Sequence, residues 1–149
     1  MDASIHDWLE GRGDSLVLIR MIDDATSRVL ARFYRAATVR AHMDLLGRWL
    51  RLYGRPLALY TDRHSIFEPQ DKGKALPEGL TSFGRALSEL PIERICAHSP
   101  QAKGRIERSF GTAPNRWVKE LRLAEASTQD QVNAVLDSHE PCGALPSHL

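Results

Sequence analysis

The chain has 149 residues, 42% of them hydrophobic and 26% charged, which suits one soluble globular domain with its own core. No apolar run approaches the ~18 residues of a membrane-spanning helix, and the N-terminus lacks the basic-then-apolar order of a secretory signal. Net charge is +1 and the cysteines are two, Cys96 and Cys142. That excludes a disulfide framework and zinc-site spacing, and points to the cytoplasm. A charge so near zero leaves nucleic-acid binding to a local basic patch or to another domain.

In chain order, the opening segment through Leu9 carries Asp2, Ile5 and Trp8, and G-R-G-D-S from Gly11 reads as a turn. Leu16 to Ile22 and Val29 to Tyr34 read as strands joined by a polar turn, D-D-A-T-S-R, hence an antiparallel hairpin. The opening segment fits a third strand beside them. Thr38 suits a helix N-cap. Val39, Met43, Leu46, Leu50 and Tyr53 then fall on one helical face, with Gly54 and Pro56 closing it. Leu57 to Thr61 reads as a short strand, parallel to a neighbour because a helix precedes it. Residues 68–79 form a loop rich in Pro, Gly and charge. Thr81 to Leu90 predicts a second helix with Phe83, Leu87 and Leu90 on one face, and Ile92 to Ala97 a last strand. A helix through Glu107 follows, then an apolar face of Trp117, Val118 and Leu121, with a kink or break at Pro114. Thr128 to Leu136 predicts one more helix. The tail, 137–149, has no periodicity and is expected to be disordered. A meander followed by β-α units predicts an α/β fold, a mixed sheet with helices on its faces.

Two stretches carry chemistry. In H-S-P-Q-A-K-G-R-I-E-R-S-F-G-T, from His98 to Thr112, Glu107 sits among Lys103, Arg105 and Arg108. One acid among cations on a helix suits a carboxylate held near phosphates. The bland alternative is a solvated helix with a Lys103–Glu107 pair at i, i+4. In L-A-L-Y-T-D-R-H-S-I-F, from Leu57, a short apolar run ends on Asp62. The end of a buried strand is where open α/β sheets place their chemistry, although an Asp there also commonly caps its turn. His64 lies in that turn, as a DNA contact or a structural histidine. Trp49 and Trp117 read as core. His139, Cys142 and His148 match no metal-site spacing.

Taken together, M-D-A-S-I-H-D-W, M-I-D-D-A-T-S-R, L-Y-T-D-R-H-S-I-F and the Glu107 stretch resemble, in order, the catalytic core of bacterial insertion-sequence transposases. These belong to the DDE, retroviral-integrase-like superfamily. The resemblance covers residues 1–136. It implies an RNase H-like fold with a five-stranded mixed sheet flanked by helices. It further implies three acids, Asp2, Asp62 and Glu107, as catalytic residues and as ligands of two Mg²⁺ or Mn²⁺ ions, with Asp62 as the bridge. Lys103, Arg105, Arg108 and His64 would contact DNA. The implied partners are transposon ends and target DNA, with homo-oligomerisation of the full-length protein. Asp23 and Asp24 are rivals for the first acid, but their context reads as a turn, and Asp7 is a weaker rival. Relatives carry a helix-turn-helix ahead of this core and a basic, aromatic continuation after it. The expectation is therefore a core with a clipped first strand. It is either an enzyme or an inactive remnant that keeps the fold and acts at most as an oligomerising inhibitor. An RNase H-like nuclease acting on other substrates is a third reading, which the K-G-R-I-E-R-S-F-G context disfavours.

Overall fold

The structure is a computed structural model and describes residues 1–61, 81–96, 113–139 and 144–145. Strands β1 (Asp2–His6), β2 (Leu16–Ile22) and β3 (Val29–Tyr34) form the expected antiparallel meander. Their outer partner is β6 (Ala144–Leu145), so the order is β1-β2-β3-β6. Strands β4 (Ala58–Thr61) and β5 (Glu93–Cys96) pair in parallel, as a strand flanked by helices should.

The single five-stranded mixed sheet expected from the resemblance does not appear as one ladder among the described residues. The strands divide into a four-stranded and a two-stranded sheet. The Met1 amine donates to the Tyr60 carbonyl at 2.7 Å, which sets the start of β1 beside the last described residues of β4. The two sheets nevertheless share one core, because Met1 and Leu59 bury together with Val17, Ile19 and Met21.

That core is closed by helices α1 (Val39–Tyr53) and α2 (Ser82–Glu89). Both start where a threonine can satisfy an orphan amide: Thr38 accepts from the Ala41 N–H at 3.1 Å, and Thr81 from the Gly84 N–H at 3.0 Å. α1 ends at Gly54, whose φ of 82° is cheap only for glycine and whose N–H donates to the Leu50 carbonyl. The buried stripe of α1 is rotated from the expected one. Ala41, His42, Leu45, Leu46 and Trp49 are buried, whereas Met43 is exposed and Val39, Leu50 and Tyr53 lie at the margin. Trp49 brings more apolar area to that stripe than Met43 brings to the other. The polar His42 is tolerated because its Nδ1 lies 2.8 Å from the Thr38 carbonyl. α2 buries Phe83 and Leu87 as expected.

The opposite face of the meander is covered by α3 (Ala113–Leu123) and α4 (Gln129–His139). Pro114 lies in the first turn of α3 as described, where a missing N–H is tolerated; whether the run breaks ahead of it lies outside the described residues. Trp117, Leu121, Val132 and Leu136 pack there on Trp8, Leu16, Leu18 and Phe33. Asn133 ties α4 to the sheet: its side-chain amide accepts from the Phe33 N–H and donates to the Phe33 carbonyl, both at 2.9 Å. It closes one part of the open β3 edge, and β6 closes another by pairing with Val29 and Leu30. α4 runs three residues past the expected Leu136. The turn after β1 docks on the α3–α4 connection. There a Cβ on Gly13 would come within 2.0 Å of the Ser127 carbonyl oxygen, so only glycine fits.

Candidate active site

Of the three expected site acids, Asp2 is the one among the described residues. Asp62, His64, Lys103, Arg105, Glu107 and Arg108 lie outside the described residues. Asp2 opens β1 and is half-buried, and its Oδ1 accepts from the Ala3 N–H at 2.8 Å. Strand alternation places it on the α3/α4 face of the sheet, directly opposite Arg20 of β2. The Met1 amine just before it is bonded to Tyr60, so Asp2 stands beside the C-terminal end of β4. There Leu59 and Thr61 are buried, whereas Tyr60 between them is 48% exposed. In sequence, Asp62 is the next residue.

The rival acids are otherwise engaged. Asp23 accepts from Thr26 Oγ1 at 2.6 Å and from the Ala25 N–H at 3.0 Å, and its pKa is lowered first by that Thr26 bond. It serves the β2–β3 turn, as its context suggested. Asp7 accepts from the Gly11 N–H at the next turn.

Arg20 was not singled out from the sequence, although the signal was present: it is the one charge in L-V-L-I-R-M-I. Only 4% of its surface is exposed. On its β3 side the register partner is Ala31. Burial pulls the Arg20 pKa down to about 10, and the charge of Asp2 pulls it back up. It remains a cation at neutral pH. The structure thus sets a buried positive charge across one ladder rung from the first acid.

Among the described residues, no three His, Cys, Asp or Glu side chains gather as a metal-ligand set, and two of the three expected ligands lie outside those residues. The donor chemistry suits a hard cation: all three are carboxylates, the oxygen ligands that Mg²⁺ and Mn²⁺ take. No helix among the described residues is long and apolar enough to cross a membrane.

The fold is that of the retroviral integrase catalytic core. The HTLV-2 integrase catalytic core domain in complex with magnesium, trimeric form, superposes with a TM-score of 0.66 at 18% identity, over 92% of this chain and 80% of that one. Its dimeric form gives 0.63 at 17%, over 92% and 80%. A chain of the simian T-cell lymphotropic virus intasome in complex with PP2A regulatory subunit B56 gamma gives 0.66 at 18%, over 92% of this chain and 45% of that chain. At such identities the likeness speaks for the fold alone. No family model matches the chain.

Sequence relatives narrow the class. The chain is 43% identical over 137 residues, 91% of its length, to a Sinorhizobium fredii protein named as transposase y4bF. It is 33% identical over 142 residues, 93% of its length, to the transposase for insertion sequence IS1202 of Streptococcus pneumoniae. It spans 30% of the length of each of these relatives. Over nearly its whole length the chain is thus similar to one part of these transposases.

Proposed function

We propose that this chain acts in DNA transposition, as a catalytic core that cuts and joins DNA phosphodiesters at a site formed by Asp2, Asp62 and Glu107. The observation that carries the reading is the seat of Asp2. It lies half-buried at the start of β1, and the residue before it is hydrogen-bonded to Tyr60, two positions ahead of Asp62. The start of β1 therefore lies beside β4, whose last residue precedes Asp62 in sequence. A second support is the face. Asp2 shares its side of the sheet with α3, the helix into which the Glu107 stretch leads.

In this reading Asp2, Asp62 and Glu107 would hold two Mg²⁺ or Mn²⁺ ions. A divalent cation at such a site polarises the phosphoryl group and stabilises charge that develops on the attacking and leaving oxygens. The remaining work falls to the chain. Lys103, Arg105, Arg108 and His64 bind and orient the DNA backbone without reading its sequence. The HTLV-2 neighbours occur in trimeric and dimeric forms, and self-association on DNA ends is part of the proposal.

Thermal melting of the 149-residue chain tests it. A cation that binds only the folded chain stabilises by about 1.4 kcal/mol at tenfold excess over its Kd. The melting point should rise with millimolar Mg²⁺ or Mn²⁺, and the rise should vanish in Asp62→Asn and in Asp2→Asn. A folded chain whose melting ignores both metals would be the inactive remnant. DNA binding by this chain should be weak, indifferent to sequence and steeply salt-dependent. Tight selection of one terminal sequence would contradict it.

A further inference from the structure

We infer that Arg20 is the resident counter-cation of Asp2, and that it tunes how strongly the first acid takes a divalent ion. The inference rests on the site proposed above. Asp2 and Arg20 are direct partners across the β1–β2 ladder, so their side chains leave the sheet on one face. Alternation along β2 puts Leu16 and Leu18 on that face as core residues, and Arg20 takes the third such position, next to Ala31. A leucine there would extend the apolar row. A guanidinium in its place brings a full positive charge into a site with 4% exposure, which is costly unless a negative group answers it. Asp2 is the acid in register to do so, and its charge does act on Arg20.

Two consequences follow from the sign of the charge. Before metal arrives, Arg20 offsets the carboxylate of Asp2 and relieves its repulsion of other acids brought to the site. When a divalent cation binds, Arg20 repels it and shares the carboxylate with it. Arg20 is therefore a positioning residue that holds Asp2 in place and weakens the metal's hold. It does not touch the reacting atoms.

The test is Mn²⁺ titration of the folded chain by calorimetry. Arg20→Met removes the charge at similar length, Arg20→Gln removes it while keeping a polar head, and Arg20→Lys keeps it. A unit charge a few ångströms away in a partly buried setting is worth about tenfold or more in affinity, so the Met and Gln variants should bind Mn²⁺ about tenfold more tightly. Arg20→Lys should stay within about twofold of the parent, because Coulomb repulsion depends on charge and distance rather than on shape. In the Asp2→Asn background the gain from Arg20→Met should shrink sharply. Unchanged or weaker binding in both neutral variants overturns the inference, as does a Lys variant that behaves like them.

A separate arm in EDTA isolates the pair from the metal. Urea midpoints of Asp2→Asn, Arg20→Met and the double variant should be non-additive, as for two groups that interact directly. Additive midpoints overturn the pairing. Non-additive midpoints with no Mn²⁺ binding by any variant would keep the pair and instead defeat the proposed metal site.

Discussion

The two faces of the meander are built from the same three strands and end differently. On the α1/α2 side β2 contributes Val17, Ile19 and Met21, all buried and all apolar, against Leu45, Phe83 and Leu87. On the α3/α4 side the row starts alike with Leu16 and Leu18, then changes to Arg20 opposite Asp2. Burial is equally deep at Met21 and Arg20, with 3% and 4% exposed. The difference is therefore one of chemistry and not of solvent access. An apolar face can be fixed by packing alone, whereas a buried cation needs an answering charge and so marks a position. It marks the end of the sheet where β1 meets β4, which is where the proposed site lies.

The sharpest way to break this comparison is to hollow out each face in turn. Phe83 and Trp117 are both fully buried, one on each side. Truncating either to alanine removes a large aromatic and leaves a cavity, at a cost of about 3–5 kcal/mol. Urea unfolding followed by circular dichroism should show both variants losing this much in one cooperative transition. A small loss for Trp117→Ala with a separate early transition would mean that α3 and α4 form an accessory layer.

The tie between α4 and β3 comes next in size. Asn133 is buried, with both halves of its amide bonded to the Phe33 backbone. Asn133→Ala leaves an N–H and a C=O in the interior without those partners, at a cost of about 1–3 kcal/mol. The expected readout is a lower urea midpoint, together with faster amide exchange at Phe33 than at Ile19 on the other face. Equal exchange at both would show that solvent does not reach the opened edge.

Much of this architecture was legible in the sequence because local chemistry set it. Leu16–Ile22 and Val29–Tyr34 form strands with the expected bounds, since an apolar run broken by D-D-A-T-S-R has little alternative to a hairpin. Thr38 and Gly54 fixed the ends of α1 by capping, yet not its rotation. Which stripe is buried depends on what the helix meets, and Trp49 decided that. Asp2 was singled out through resemblance, and it opens β1. Arg20 was overlooked because pattern reading treats one charge in an apolar strand as noise, although burial makes it the informative residue. The α1 cap gives a third prediction of smaller size. Thr38→Ala should cost about 1 kcal/mol by melting, with Thr38→Ser close to the parent. A null result would mean that water replaces the cap.

The smallest expected effect concerns the other long-range tie to α3. Exposed Glu10 takes a hydrogen bond from Arg122 Nε at 2.8 Å and another from Arg12 at 2.9 Å. A second Arg122 nitrogen bonds its other oxygen, so the turn after β1 is clamped to the end of α3. Arg122 first, and then Arg12, lower the Glu10 pKa from 4.5 to about 2. A depressed carboxylate pKa means that the folded chain binds this proton less readily than the unfolded one. Its contribution is thus complete above about pH 4.5 and is lost as pH falls through about 2. Glu10→Gln should melt slightly below the parent at pH 6, and the two curves should converge toward pH 2 as the parent's Glu10 takes up its proton. The gap at pH 6 should also narrow in 1 M salt, where screening reaches down to about 3 Å. A gap that persists unchanged through the acid range would assign the effect to packing of the Glu10 side chain. In that case α3 would be held to the turn by the close seat of Gly13 on Ser127, and its charge would be incidental.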